Sequence, residues 1–412
     1  MTAIVGILNK QAIAIAADSA VTVGGGKKIY NNANKIFTLS KHHPIGIAIY
    51  NNASFNSIVP WEIVIKMYRN QLKDKKFDSL KEYALDFYSY LDTYKSVYLK
   101  DDEMNRVLSG EVIAYWKYIW ESNSHISHND AELSKYLDEQ VKKYIKADNQ
   151  VNGLAMPDFS KAIALALHIV KVDVEKSKLN YAAHECKIVE LLYYVFTKRC
   201  VNHPEYSGLA FFGYGDKDIF PSLYRTKIFS SVAGHLRWDE ETFEKVDESG
   251  QDAYICPMAQ KDDILSYVTG VTPKMEDTFF DTTLTAITDV INGLSKIVST
   301  KDVKLAEMIK GIDLRPVIDN YKKNIATIKQ EQMVSPLITT VSSMGKEDLA
   351  ELAENLIYLT SLKRHITPNL ESVGGPVDVA VVSKGDGFIW IKRKHYFEPE
   401  LNKSFFENYL NK

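Results

Sequence analysis

The chain of 412 residues predicts a layered α+β domain, and three observations carry that prediction. Apolar runs of strand character crowd the first fifty residues, return over 206–232 and close the chain at 377–392. Between them, about 140 residues from Pro60 onward and a second stretch from Phe279 to Leu362 carry apolar side chains at helical spacing. No repeat of fixed period and no low-complexity linker separates these blocks. Strands from both ends are therefore expected in one sheet system with helices packed outside it, in a single domain over 1–412.

Taken in order, Ala3 to Leu8 and Ala12 to Ala17 are short apolar runs flanking Asn9-Lys10-Gln11, the pattern of a hairpin between two buried strands. Such a hairpin sets Thr2, at the start of the first strand, opposite Asp18, at the end of the second. The glycine-rich segment Val23 to Lys28 reads as a turn, and Lys35 to Leu39 with Pro44 to Tyr50 as another strand pair. From Pro60, a residue suited to a helix start, Trp61, Val64, Ile65, Tyr68 and Leu72 recur at helical spacing. Further amphipathic helices are expected over Leu80 to Leu91, Val112 to Trp120, Ala131 to Ile145, Phe159 to Val172 and Ala182 to Phe196. Strands are expected again over Tyr206 to Gly215, Leu223 to Val232 and Ala253 to Cys256. Helices follow near Lys261 and over Phe279 to Ile297, Val303 to Ile309, Val317 to Met333 and Glu347 to Leu362. Val377 to Val382, the turn Lys384 to Gly387 and Phe388 to Lys392 form a final hairpin.

The bulk composition narrows the function. With 50 basic against 53 acidic side chains the formal net charge is -3, which argues against a nucleic-acid binder, whose affinity comes from concentrated Lys and Arg. Cys186, Cys200 and Cys256 are far apart and form no zinc-binding spacing, so free thiols in a reducing cytoplasm are expected. No apolar run approaches the roughly 20 residues of a membrane span, and the first residues lack the pattern of a signal peptide. A cytoplasmic protein without membrane contact, metal or cofactor is expected. His42-His43 and His184-Glu185 lack a second ligand at HExxH spacing, and Gly24-Gly25-Gly26-Lys27-Lys28 lacks the spacing of a phosphate-binding loop.

Chemistry concentrates at the start. If Met1 is removed, Thr2 carries a hydroxyl and a free α-amine on one residue, with Asp18 and Lys35 downstream. A Thr hydroxyl is a poor nucleophile without a base, and an α-amine, whose ordinary pKa is about 7.7–8.0, can take its proton. An ammonium from Lys35 would favour deprotonation of its neighbours, and Asp18 would hold that ammonium charged and oriented.

Thr2-Ala3-Ile4-Val5-Gly6-Ile7, Ile15-Ala16-Ala17-Asp18-Ser19 and Asn34-Lys35-Ile36 resemble the amino terminus of proteasome β-type subunits and their bacterial relatives, the N-terminal-nucleophile hydrolases. Weaker likeness returns in Phe212-Gly213-Tyr214-Gly215 with Pro221-Ser222-Leu223-Tyr224 and in Gly374 to Trp390. The resemblance implies a four-layer αββα sandwich, enlarged by a helical segment over 56–205 and another over 270–370. It implies Thr2 as nucleophile and base, Asp18 as the acidic residue and Lys35 as the lysine, with Lys27 and Lys28 as competitors. It also implies Ser19 and Thr22 along an extended peptide substrate and an oxyanion-binding backbone N–H at Tyr50. Pro257-Met258-Ala259-Gln260 stands where the family has a supporting serine. Glu371 and Ser372 could take over the acidic residue and serine that precede the late glycine pair.

These readings converge on a threonine-type peptidase acting on peptide or protein substrates, expected as a homo-oligomer. Nothing in the sequence points to an ATPase partner. Two other readings stand beside it: a catalytically silent member that uses the fold for assembly or partner binding, and an amidase for small-molecule amides.

Overall fold

The computed structural model describes residues 2–23, 28–199, 205–247, 250–367, 373–404 and 407. Along the chain come strands β1 (Ala3–Asn9), β2 (Ile13–Ala17), β3 (Val21–Val23), β4 (Lys28–Tyr30), β5 (Ile36–Thr38), β6 (Ile45–Asn51), β7 (Ser54–Phe55) and β8 (Val59–Pro60). Helices α1 (Trp61–Leu72), α2 (Leu80–Tyr98), α3 (Asp101–Ser122), α4 (Asp130–Tyr144), α5 (Met156–Ala162), α6 (Ala164–Lys176) and α7 (Tyr181–Thr197) follow. Strands return as β9 (Ser207–Gly213), β10 (Ser222–Val232), β11 (His235–Lys245) and β12 (Ala253–Ala259). Next are α8 (Asp262–Thr269), α9 (Pro273–Ser299), α10 (Val303–Lys310), α11 (Arg315–Lys329), α12 (Ser335–Ser343) and α13 (Lys346–Ile366), then β13 (Asp378–Ser383) and β14 (Gly387–Lys392). No helix among the described residues is long and apolar enough to cross a membrane.

The chain forms two compact units: residues 1–33, 246–381 and 390–412 in one, 34–245 and 382–389 in the other. The first unit is organised on a five-stranded sheet in the order β12-β1-β2-β13-β14. Its centre is the expected hairpin, with β1 antiparallel to both β2 and β12 and Ile4 opposite Ala17. Every residue of β1 and β2 is buried, because both carry nearly unbroken apolar runs. Ala3, Val5, Ile7, Ala14 and Ala16 pack on one face against Leu349, Ala353, Leu356 and Ile357 of α13 and Ile264 of α8. The small alanines let α13 approach the sheet closely, and full burial of each Ile or Val contributes roughly 1.5–3 kcal/mol.

The second unit carries a sheet in the order β11-β10-β9-β6-β5, antiparallel throughout. Ile45, Ile47 and Ile49 of β6 and Leu209 and Phe211 of β9 share a core with Trp61, Val64 and Tyr68 of α1 and Tyr83, Phe87 and Leu91 of α2. Helices α3 to α7 build a core of their own around Leu108, Val112, Trp116, Leu137, Phe159 and Leu191. Polar caps set helix starts: Ser79 accepts from the Glu82 N–H and Asn129 from the Glu132 N–H at 2.9 Å.

The chain is thus mixed α and β with antiparallel sheets, as the α+β expectation has it. The four-layer αββα stacking drawn from the resemblance goes beyond what the two units, each taken by itself, display.

Candidate functional site

At the open end of the β1–β2 hairpin the backbone itself builds a carboxylate cradle. Asp18 follows β2, and the register that sets Ile4 against Ala17 brings it beside Ala3. The Asp18 N–H donates to the Ala3 carbonyl at 3.1 Å, and the Ala3 N–H returns a bond to Oδ1 of Asp18 at 2.9 Å. Oδ2 accepts from the Ala20 N–H at 3.1 Å and from the Gly374 N–H at 3.2 Å. Asp18 is 1% exposed, so these N–H donors take over much of the hydration its carboxylate gives up.

Thr2 lies at the start of β1, next to that cradle, and is 6% exposed. Its carbonyl accepts from the Gln260 N–H at 3.1 Å, so the segment just after β12 holds it from the side opposite Asp18. Two separate stretches of the same unit, one after β2 and one after β12, therefore converge on the peptide that joins Thr2 to the sheet. Met1 lies outside the described residues.

Lys35 belongs to the other unit, immediately before β5. Its carbonyl accepts from the Ile49 N–H at 2.8 Å and the residue is 3% exposed, an unusual state for a lysine and one that calls for a polar or charged partner. Of its competitors, Lys27 lies outside the described residues and Lys28 sits in β4.

The expected substrate residues divide. Ser19 is fully buried and its groups are spent within the protein: its N–H donates to the Gly374 carbonyl at 3.1 Å, its hydroxyl to the Pro376 carbonyl, and its own carbonyl accepts from the Ala33 N–H at 3.0 Å. It braces the site and has no face for a substrate. Thr22 lies in β3, opposite Ile29 of β4, in a separate two-stranded sheet.

Tyr50 is also placed differently from expectation. Ile49 turns its N–H toward Lys35 on the β5 side of β6, so alternation along the strand turns the Tyr50 N–H toward β9, where Gly208 is its register partner. That N–H is directed into the sheet ladder and not toward an oxyanion. The Tyr50 hydroxyl donates to Oε2 of Glu241 at 2.6 Å, and burial, reinforced by the Glu241 carboxylate, pushes its pKa well above the ordinary tyrosine value. Asn51, the following residue, takes a left-handed backbone at φ 62° and ends the strand. Glu371 and Ser372, and with them the question of whether they support the site, lie outside the described residues.

Two contributors went unnamed in the sequence reading: the Gly374 N–H, which reaches Asp18 across 356 residues of chain, and the Gln260 N–H on Thr2. The Gly374-Gly375-Pro376 turn before β13 was the available signal. Gly375 holds φ 76°, and a Cβ there would lie 2.8 Å from Asn31, so the turn closes tightly on the neighbouring segment.

Among the described residues, no group of three or more His, Cys, Asp or Glu side chains is arranged to hold a metal ion.

Comparison with known proteins does not uphold the family resemblance. No family model and no curated protein matches the chain. Among solved structures, Anbu (ancestral beta-subunit) from Yersinia bercovieri aligns over 99% of this chain and 95% of its own at 10% identity, with a TM-score of 0.30. The Anbu (Gly-1) mutant from Hyphomicrobium sp. strain MC1 aligns over 100% and 96% at 10% identity, with a TM-score of 0.28. Similarity at that level does not establish a shared fold, so the likeness over residues 2–50 does not place the chain among proteasome β-type subunits.

Proposed function

We propose that the chain is an amide hydrolase whose nucleophile is the Thr2 hydroxyl, exposed as part of a free N-terminal residue once Met1 is removed. The observation that carries this reading is the Asp18 cradle: a buried carboxylate held by three backbone N–H groups, one of them the N–H that follows Thr2. A carboxylate fixed there favours a cation beside the nucleophile, the role that the sequence pattern gives to Lys35.

In this reading the Thr2 amine takes the hydroxyl proton while Oγ1 attacks the amide carbon. The tetrahedral intermediate collapses to an ester on Thr2, and the amine passes its proton to the departing nitrogen. Water, deprotonated by the same amine, then hydrolyses the ester and releases the acid. An extended peptide would add along β3, near Thr22, through backbone hydrogen bonds.

A silent, partner-binding protein is the second reading, and the direction of the Tyr50 N–H favours it, because the expected oxyanion donor is turned into the sheet. One experiment separates the two. Intact mass should show loss of Met1, and an α′,β′-epoxyketone, which needs hydroxyl and amine together to close its ring, should modify Thr2. Thr2→Ala should remove both labelling and hydrolysis and leave the circular dichroism unchanged. A native chain that retains Met1, or one that neither labels nor hydrolyses, would select the silent reading, and labelling that survives Thr2→Ala would remove Thr2 as the nucleophile. Comparing peptides with small acylated amines would then define the substrate class.

A further inference from the structure

A cavity of about 350 Å³ lies wholly within the second unit, between α2, residues 150–152 and the outer strand β11. Its volume falls at the small end of ligand pockets, roughly 300–1,000 Å³. The principal apolar wall is Trp238 of β11, half-buried and stacked on Tyr88 of α2 with ring centroids 4.3 Å apart and planes 3° from parallel. Tyr88 is itself fixed: it is 3% exposed, and its hydroxyl is bonded to the Thr226 hydroxyl. Among the described residues Tyr88 is the one aromatic neighbour of Trp238, so one face of the indole is covered and the ring is held flat.

Polar groups line the same cavity from three elements. Ser89 and Asp92 come from α2, Gln150 and Asn152 from the segment beside it, and His235 from β11. Two of these are held in place. Lys95 donates to Oδ1 of Asp92 at 2.7 Å and leaves Oδ2, and Gln150 donates through Nε2 to Oδ2 of Asp239 at 2.8 Å and leaves Oε1. The backbone behind Gln150 is pinned as well, since the N–H groups of Gln150 and Val151 both donate to the Thr197 carbonyl at the end of α7. Among the described residues, the side chains of Ser89, Asn152 and His235 make no hydrogen bond within the chain, so their donors and acceptors are open to a ligand.

We propose that this cavity binds a neutral sugar ring, stacked by its C–H face on Trp238 and hydrogen-bonded through its hydroxyls to the polar rim. A pyranose has an apolar face, and around it hydroxyls that each donate and accept. A flat aromatic ring edged by carboxylate, carboxamide, imidazole and hydroxyl groups from three elements matches that pattern. A phosphorylated ligand fits less well, because among the described residues the lining includes no Lys or Arg to meet the phosphate. A quaternary ammonium ion fits less well too. It needs several ring faces around it, whereas here two rings are spent on each other and Lys95 already pairs with Asp92. A nucleobase would share the stacking, but its polar atoms occupy only part of its edge and leave some of the rim unused.

This inference does not depend on the chemistry at Thr2, and its test is binding by the full chain. Glucose, galactose and N-acetylglucosamine, with cellobiose and N,N′-diacetylchitobiose as longer probes, are offered in saturation-transfer difference NMR. At least one should show transfer to its ring C–H protons, with a Kd of about 1 mM. A disaccharide that binds more tightly than its monosaccharide would support a glycan chain as the source, and equal affinity a free sugar. Trp238→Ala should abolish the transfer. Because Trp238 also packs on Tyr88, a second variant leaves that stack alone: Ser89→Trp, at an exposed position on α2, should fill the cavity and abolish binding with unchanged circular dichroism. Asp92→Ala should weaken binding by about 10-fold. Absence of transfer to every probe, or transfer that survives Ser89→Trp in a folded chain, would overturn the proposal. So would adenosine that binds more tightly than every sugar and is displaced by Ser89→Trp, which would mark a nucleobase site instead.

Discussion

Asp18 shows how much one side chain can organise. Both of its carboxylate oxygens are used, Oδ1 by one N–H and Oδ2 by two. Replacing it with asparagine keeps the shape, but the NH2 group must then face at least one of those donors in either orientation. Asp18→Asn should therefore cost about 2–3 kcal/mol in urea denaturation, since it leaves a buried N–H without an acceptor. An unchanged midpoint would mean that the cradle contributes little to folding. The pairing of Thr2 with Asp18 was legible because two apolar runs and a short polar turn already specify a hairpin. The donors from Gly374 and Gln260 were not, because nothing local in either segment says which carboxylate or carbonyl it will reach.

At the level of elements, strand packing sets the tolerances. Gly208 of β9 lies under the Tyr50 ring, where an added Cβ would come within 2.1 Å of it, and the Glu241 bond keeps the Tyr50 hydroxyl in place. Gly208→Ala should cost about 1–3 kcal/mol by overpacking, read as a lower thermal midpoint. Tyr50→Phe, which leaves the ring in place, should not relieve that clash. The strands of the first hairpin announced themselves through unbroken apolar runs, and the helices through their period. β11 did not, since Asp239-Glu240-Glu241 carries little strand propensity. Cross-strand pairs supply what propensity lacks: Arg225 with Glu244 at 2.6 Å and Lys227 with Glu241 at 3.4 Å. Its two-residue turn places Ala233 at φ 46° and Gly234 at φ 77°, a hairpin geometry that usually advertises itself with asparagine at the first position. α12 was missed for a related reason. Pro336 reads as a stop, yet the chain widens into a π-turn over Gln330–Val334 just before it and continues as helix, which makes room for the proline ring.

For the whole molecule, the proposed chemistry depends on where the chain begins. Extra residues placed before Thr2 would move the α-amine away from the hydroxyl, so an uncleaved amino-terminal tag should leave the fold intact and silence hydrolysis. The same tag at the carboxyl end should not, and equal activity from the two tagged proteins would remove the amine from the mechanism. The architecture was legible in outline, as strands at both ends and helices between, because burial period is a local property. Kinship was not, because a few matching residues over 2–50 describe one hairpin and its flanks, while the comparison spans a chain of 412. The bond from Gly374 to Asp18 also has a consequence for the order of synthesis. Residue 18 leaves the ribosome early, but its last backbone donor is translated 356 residues later, and β13, the neighbour of β2, comes later still. A nascent chain that has not reached Gly374 thus carries Thr2 without its finished cradle, and the setting of the proposed nucleophile is completed only after that residue has been translated.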